Sequence, residues 1–333
     1  MRRAPLALVL CAAAIASLTA PVHAYLKLGT RVNGRILGLA WTERPVRYFI
    51  SNRDVPGVSA QQLQQAVARA FATWDSAPNV ELSSQFAGFT QAPPLANDNA
   101  SVIGFLDRPD LDRVLGSTSF TVDTITGEII ESDIFFNSSF PWSVAQAGES
   151  GRYDLEAIAL HELGHLHGLG HSALGETELR AGGRRVIAAE AIMFPIAFSP
   201  GSTNARELRA DDIAGIGDIY GTGAFHTSTG SVSGRVTKNG KGVLGAHIVA
   251  FSPATGRMVG GFTLSDDGSF VIAGLAPGPQ VLRVEPLDDA DIESFFEFAS
   301  SIDVDFKPAF SSRLIVVPRG GTARDVEIKV AAK

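Results

Sequence analysis

The segment from His161 to His171 contains four histidines, and the spacing of three of them constrains the fold more than any other feature of the sequence. It reads HELGHLHGLGH, and His161 and His165 are four residues apart. Because residues i and i+4 lie on one face of an α-helix, both imidazoles can bind the same metal ion. Gly168 follows at the point where the helix must end, and glycine adopts a positive φ without steric penalty. The spacing predicts a helix, a turn at Gly168 and His171 as the third ligand.

The same segment contains a candidate general base. Three protein ligands leave the fourth position of a tetrahedral zinc ion for water, which is typical of a catalytic zinc site. Glu162 is adjacent to a ligand but lies off the ligand face, so it can take a proton from that water. We therefore predict one catalytic Zn²⁺, bound by His161, His165 and His171, with Glu162 as the base. His167 lies about 240° around the helix from His161, which predicts a surface or outer-shell residue rather than a ligand.

Composition limits the classes of partner. The chain has 333 residues, enough for two domains, and 45% of them are hydrophobic, which is typical of an ordered globular protein. Its formal net charge is −7, and the sequence contains no run of lysine and arginine. These features argue against a nucleic-acid partner.

The first 24 residues have the three parts of a secretory signal peptide. Arg2 and Arg3 are followed by the apolar run 6–18 and by Val22-His23-Ala24, a small-residue cleavage site. An uncleaved membrane anchor is the alternative, but the run is short for a membrane span. We predict export to the extracellular space, or to the periplasm in a Gram-negative cell, with no transmembrane segment in the mature chain. Cys11 is the only cysteine, so no disulfide is expected after cleavage.

The remaining pattern predicts two domains of different class. Residues 25–225 contain predicted strands at 46–50, 80–82, 101–105, 118–122 and 129–137, and a helix whose capping box is Ser59 and Gln62. A last helix is predicted at 209–220, with Asp211 and Asp212 in its first turn. Residues 226–231 form a predicted Ser/Thr/Gly linker. Residues 232–333 show short alternating segments with turn signals, which predict a small antiparallel β-sandwich.

Two further features carry a resemblance to a known family. Ser172 follows the third histidine, and Ala191-Ile192-Met193-Phe194-Pro195 lies downstream. Together with the zinc motif they resemble the matrixins, the matrix-metalloprotease branch of the metzincins, over about residues 40–221. The resemblance implies an α+β catalytic domain, in which a twisted sheet packs on helices. It also implies that Met193 forms a turn beneath the zinc.

The chain departs from the usual matrixin pattern in three ways. The predicted mature chain has no cysteine, so a propeptide cysteine cannot keep the enzyme latent. Apart from His23, no histidine precedes His161, so a structural zinc site is not expected there. The segment between His171 and Met193 is longer than usual, which leaves the shape of the specificity pocket open. The family also implies calcium, for which Asp107, Asp110 and Asp112 are candidates, although a solvated acidic turn explains these three residues somewhat better.

The C-terminal part resembles the transthyretin-like or carboxypeptidase-regulatory-like β-sandwich. Its motifs are Ser233-Gly234-Arg235-Val236, Asp267-Gly268-Ser269-Phe270 and Leu275-Ala276-Pro277-Gly278. This resemblance implies no catalytic residues. The sequence therefore predicts a secreted zinc endopeptidase that acts on protein or peptide substrates. The alternative is a protein whose β-sandwich binds a surface or polymer and whose protease domain is vestigial.

Overall fold

The computed structural model describes residues 8–9, 26–32, 35–96, 98–181, 183–296 and 301–333. Apart from Leu8–Val9, the predicted signal peptide (1–24) lies outside these residues. The N-terminal part contains twelve strands and four helices among the described residues: β1 (Leu8–Val9), β2 (Gly29–Val32), β3 (Arg35–Gly38), β4 (Val46–Ser51), α1 (Ala60–Asp75), β5 (Ser84–Thr90), β6 (Ser101–Leu106), β7 (Gly116–Val122), β8 (Ile129–Asn137), β9 (Trp142–Ser143), β10 (Tyr153–Asp154), α2 (Leu155–Leu166), β11 (Gly175–Arg180), β12 (Gly183–Ala189), α3 (Ala210–Tyr220) and α4 (Gly223–Ser228).

A six-stranded sheet forms the centre of this part, in the order β1-β7-β8-β6-β4-β5. Strands β4, β5, β6 and β8 run parallel, whereas β7 is antiparallel to β8. Helices α1 and α2 pack against each other, α1 contacting β4 and β5 and α2 contacting β7 and β8. This arrangement confirms the predicted α+β fold with a sheet packed on helices.

Helix α1 begins where the sequence predicts. The Ser59 hydroxyl accepts a hydrogen bond from the Gln62 N–H, and the Gln62 side chain accepts one from the Ser59 N–H. The helix buries an apolar stripe that includes Leu63, Phe71 and Trp74. The Trp74 indole N–H donates to the Leu160 carbonyl at 2.8 Å, which joins α1 directly to the helix of the zinc motif. The core of the domain therefore fixes the position of α2.

One local prediction in this part is wrong. Residues 80–82 form no strand, because Val80 makes only an isolated bridge to Gly221 and the Glu81 N–H donates to the Tyr220 carbonyl. The strand that pairs with the outer side of β4 is β5, and its half-exposed sequence gives little strand signal because it lies at the sheet edge. In the long segment after His171, for which the sequence predicts no regular element, the structure has the antiparallel hairpin β11–β12.

The C-terminal part is built of strands throughout, as predicted. Its elements are β13 (Gly230–Lys238), β14 (Lys241–Gly242), β15 (His247–Phe251), β16 (Met258–Phe262), β17 (Ser269–Leu275), β18 (Gly278–Glu285), a 3-10 turn (Ile292–Ser294), β19 (Ala309–Phe310), β20 (Ile315–Val317) and β21 (Thr322–Val330). One sheet has the order β14-β13-β17, with β21 also paired to β13. The other has the order β16-β15-β18-β19, with β20 also paired to β18.

The prediction of a purely antiparallel arrangement is wrong at one pair. Strand β21 runs parallel to β13. Parallel neighbours need a crossover connection, and the whole intervening chain supplies it, so the last strand returns in the same direction as the first. The predicted linker 226–231 consists of the end of α4 and the start of β13, so it continues regular structure. The domain boundaries remain a prediction.

The N-terminal and C-terminal parts share apolar contacts. One group of contacting buried residues, here called the junction cluster, contains members from both parts: Leu26, Val186, Phe194, Phe262, Leu287, Ala290, Phe295 and Phe296. The C-terminal strands are therefore packed onto the region that follows the zinc motif. None of the helices in the described part of the chain has the length and apolar character needed to cross a membrane.

Candidate metal centre

Helix α2 carries the first two candidate ligands. It starts after Asp154, whose side chain accepts a hydrogen bond from the Ala157 N–H at 2.8 Å. It ends at Leu166, and Gly168 then adopts φ +94°. The predicted turn at Gly168 is thus confirmed, and it brings His171 back toward His161 and His165.

The three histidines lie close enough together to be candidate ligands of a single metal ion. One nitrogen from each ring lies within 4.8 Å of the others. The Nε2 atoms of His165 and His171 are 3.2 Å apart. In a tetrahedral zinc site with bonds of 2.0–2.1 Å, two ligand nitrogens are separated by roughly 3.3 Å. The donor set and its spacing therefore fit zinc.

Backbone carbonyls determine which nitrogen of each ring faces the centre. Each candidate ligand directs its Nδ1 at a carbonyl oxygen, and a carbonyl oxygen only accepts hydrogen bonds. Each Nδ1 must therefore bear the proton, which leaves the Nε2 lone pair for a metal. The acceptors are Ile192 for His161 (2.7 Å), Leu169 for His165 (2.8 Å) and Ser294 for His171 (2.6 Å).

Burial keeps these rings neutral, as metal binding requires. Desolvation, followed by the charge of His171, lowers the pKa of His161 to about 3. The same causes hold the pKa of His165 well below its ordinary value. Desolvation also lowers the pKa of His171, against the opposing hydrogen bond to Ser294. The Nε2 atoms of the three rings therefore need not lose a proton when a cation binds.

Glu162 lies beside the three histidines in a nearly water-free position, with 5% of its surface exposed. Burial raises the pKa of its carboxyl to about 7, and a hydrogen bond from Thr118 opposes that rise. The Thr118 hydroxyl donates to Glu162 Oε2 at 2.7 Å. A carboxylate with a pKa near neutrality is well suited to accept and return a proton.

Met193 lies against α2, where Gly164 has no side chain. A Cβ on Gly164 would be 2.2 Å from the Met193 sulfur and 2.9 Å from Trp74 Cζ2. The turn is linked to the ligands at two points, because the Ile192 carbonyl accepts from His161 and the Ser172 N–H donates to the Met193 carbonyl at 2.9 Å. The role of Met193 as the turn beneath a zinc ion remains a prediction.

Asp212 anchors the same turn. Its carboxylate accepts hydrogen bonds from the N–H groups of Ile192, Met193 and Arg209. Burial, and then the neighbouring Asp211, raises the pKa of Asp212 to about 7. The sequence places Asp211 and Asp212 in the first turn of a helix, where acidic residues suit the helix dipole, and it does not predict this contact.

Three further partners were missed by the sequence. The Thr118 hydroxyl donates a hydrogen bond to Glu162. The Asp211 carboxylate forms a hydrogen bond with the Ser172 side chain and accepts another from the Gly260 N–H at 2.7 Å. The paired acidic residues at the start of α3 were the available signal for Asp211. Ser294 contributes only a backbone carbonyl, and a backbone atom leaves no residue-type signal.

The structure corrects the prediction for His167. It is not part of the three-histidine group, in agreement with the helical geometry. It is, however, completely buried rather than at the surface, with Phe71, Trp74 and Tyr220 around its ring. Within the described part of the chain, neither ring nitrogen has a hydrogen-bond partner. Desolvation lowers its pKa to about 3, so it packs as a neutral ring in the core.

The candidate calcium loop is engaged in an ion pair. Both carboxylate oxygens of Asp110 accept hydrogen bonds from Arg108. Of the residues that the structure describes, His161, His165 and His171 form the metal-ligating group, and Asp107, Asp110 and Asp112 do not come together as one. Calcium binding therefore remains a prediction.

We expect Gly168→Ala to weaken both the fold and metal binding. At φ +94° an alanine pays about 1–2 kcal/mol for the left-handed backbone, and its Cβ would lie 2.4 Å from the Leu39 carbonyl oxygen. Gly240→Ala is the matched control, because Gly240 has φ +78° and open space around its Cβ position. Urea unfolding should show the larger loss of stability for Gly168→Ala. Equal losses would contradict the crowding at Gly168.

Comparison with known proteins gives a consistent match to the N-terminal part. The sequence model of the matrixin family matches residues 40–221, more than half of the chain. Matrix metalloproteinase-16 of Rattus norvegicus is 28% identical over 191 residues, which cover 56% of this chain and 28% of that protein. Metalloendoproteinase 5-MMP of Arabidopsis thaliana is 28% identical over 172 residues, which cover 48% of this chain and 40% of that protein.

The chain thus matches less than half the length of these two relatives. Among solved structures, the Bacillus anthracis TIE protein matches with 21% identity and a TM-score of 0.21 over 32% of this chain and 17% of that one. A score this low supports no statement about the fold. The family match implies a catalytic zinc and supports a metalloendopeptidase, and it does not extend to the C-terminal strands.

Proposed function

This chain belongs to the matrixin family, and we propose that it is a secreted zinc-dependent endopeptidase that uses Glu162 as its general base. The observation that carries the proposal is the group of three histidine nitrogens within 4.8 Å of one another, adjacent in sequence to a buried carboxyl group. His161, His165 and His171 would hold the zinc through Nε2. When bound, zinc supplies Lewis acidity, which acidifies water and polarises the scissile carbonyl.

Glu162 performs the proton transfers. Its Oε2 is held by Thr118, so we assign the transfer to Oε1. The carboxylate takes a proton from the attacking water and later donates it to the leaving amine. Thr118 keeps the carboxylate in one orientation, so no side-chain rearrangement is needed between the two transfers.

Once the proposed signal peptide, which contains β1, is removed, β7 is an edge strand and provides a place for an extended substrate. Strand β8 pairs with one side of β7, and on the other side only Leu8 and Val9, of the residues described, pair with it. Gly116 in β7 lies next to the base, since a Cβ there would be 2.9 Å from Glu162 Oε1. A peptide that adds to this edge as a further strand would bring its backbone past the carboxylate. This geometry favours protein or peptide substrates.

The proposal is tested by metal removal from the purified protein comprising residues 25–333. Zinc analysis should give one ion per chain, and the protein should cleave casein. A zinc chelator should abolish cleavage, and added zinc should restore it, because the ligands are neutral imidazoles that release and rebind the ion. Calcium added alone is the control and should not restore cleavage.

Cleavage by the metal-free protein would contradict the proposal. A zinc-loaded protein that cleaves no peptide would favour the alternative, a surface- or polymer-binding protein with a vestigial protease domain. Export is tested separately, by the presence of a mature N-terminus at Tyr25 in the secreted fraction. A polymer or surface ligand of the C-terminal strands remains a prediction.

A further inference from the structure

The Nδ1 of His171, the third candidate ligand, forms its hydrogen bond with a different part of the chain from the Nδ1 atoms of the other two. His161 and His165 bond to the carbonyls of Ile192 and Leu169, which lie close to the zinc motif. His171 Nδ1 bonds at 2.6 Å to the carbonyl of Ser294, which is 123 residues away in the C-terminal part. The proton position on His171, and hence its free Nε2, depends on that contact.

Residues 287–296, here called the strap, surround this contact with apolar packing. Phe295 is 1% exposed, and its ring meets the His171 ring edge-on with 6.3 Å between centroids. Phe295 also packs on Phe262 in β16, at 5.7 Å. The His171 ring is therefore held by a hydrogen bond along one direction and by an aromatic contact along another.

The long segment after the zinc motif holds the strap in place. In the hairpin β11–β12, the Thr177 N–H donates to Asp289 Oδ1 at 2.7 Å, and the Thr177 hydroxyl donates to the Asp289 carbonyl at 2.7 Å. Arg184 donates to the Asp288 carbonyl at 2.9 Å. The hairpin thus contacts the strap through both backbone and side chains, which gives this unusually long segment a structural use.

A second connection reaches the residue after the ligand. The Ser172 hydroxyl bonds to Asp211, and Asp211 accepts the Gly260 N–H of β16 at 2.7 Å. Ser172 is 3% exposed and Asp211 is 3% exposed. His171 is therefore restrained from the C-terminal part both at its ring and at the next residue along the backbone.

We propose that the strap positions His171, so that tight zinc binding requires the C-terminal part to be docked on the protease part. This inference rests on the proposed zinc site and adds a structural requirement to it. Outer hydrogen-bond partners of metal ligands fix ring orientation and tautomer, and their loss typically lowers metal affinity. Because coupling between two binding events is reciprocal, zinc must in turn stabilise the docked strap.

The first test measures zinc affinity by competition with a chromophoric chelator on the full mature chain. Phe295→Ala removes the ring contact and loosens the strap, and we expect about 10-fold to 100-fold weaker zinc binding. Phe270→Ala is the matched control, because Phe270 is equally buried but lies in the core of the C-terminal sheets, outside the junction cluster. It should lower thermal stability while it leaves zinc affinity unchanged.

The second test uses the unmodified protein and does not depend on how a variant folds. Hydrogen exchange followed by mass spectrometry should show faster exchange in 287–296 and 175–189 after zinc removal. Peptides from β13 and β17 should be unaffected. A hydrogen-exchange rate in the strap that does not change on zinc removal would overturn the inference. A Phe295→Ala protein that binds zinc as tightly as the unmodified protein would also overturn it. If the unmodified protein binds no zinc, the proposed function itself fails, which is a distinguishable result.

Discussion

Glu162→Gln should lose nearly all peptide hydrolysis and retain its zinc. Glutamine keeps the size and one hydrogen-bond acceptor of glutamate, so the contact from Thr118 survives, but its amide cannot take a proton from water. General base catalysis typically contributes about 10²–10⁴-fold to a rate, and we expect a loss of kcat of that order. The measurement is casein hydrolysis together with zinc content for the same preparation.

Glu149→Gln is the control, because the Glu149 side chain is 51% exposed and forms a surface ion pair with Arg152. It should match the unmodified protein in both rate and zinc content. A Glu162→Gln protein that holds one zinc per chain and still turns over casein at the normal rate would refute the assigned base. Loss of zinc from this variant would also count against the assignment, since it would place Glu162 among the ligands.

The candidate metal centre was predictable from the sequence because it depends on local spacing. The i, i+4 relation of His161 and His165, together with the turn at Gly168, follows from helix geometry alone, and the structure brings the three histidines together. The capping box of Ser59 and Gln62 was predictable for the same reason. Each of these features involves residues within about a dozen positions of one another.

Features that depend on long-range packing were not predictable. The position of His167 follows from α1 and α3, which enclose it with Phe71, Trp74 and Tyr220, and helical periodicity within one segment cannot reveal that. The edge strand β5 has too few buried apolar residues to show alternation. The Ser294 carbonyl is a backbone atom, so no substitution pattern or residue type marks it.

One departure from the usual matrixin pattern, the long segment after His171, is connected by the structure to the C-terminal part. The segment between His171 and Met193 is long because it forms a hairpin, and that hairpin contacts the strap through Thr177 and Arg184. The C-terminal part is thus connected to the region around the third ligand rather than joined only through the chain at 226–231. A role confined to surface attachment would not require these contacts.

Asp212→Ala should cause the largest loss of stability among the substitutions considered. Asp212 is 2% exposed and is the acceptor for three backbone N–H groups, those of Ile192, Met193 and Arg209. Each buried donor left without a partner costs about 1–3 kcal/mol, so we expect a loss of about 3 kcal/mol or more. Urea unfolding measures it as a lower midpoint with an unchanged slope.

The same substitution should reach the metal centre through the turn. Once Ile192 and Met193 lose their acceptor, the Ile192 carbonyl is no longer held against His161 Nδ1, and zinc affinity should fall roughly tenfold. Asp212→Asn retains one acceptor oxygen, so its stability and its zinc affinity should lie between those of the unmodified protein and those of Asp212→Ala. Glu207→Ala changes an exposed acidic residue near the start of α3 and should alter neither quantity. An Asp212→Ala protein with normal stability would show that the turn is held by packing around Met193, and the carboxylate would then have no anchoring role.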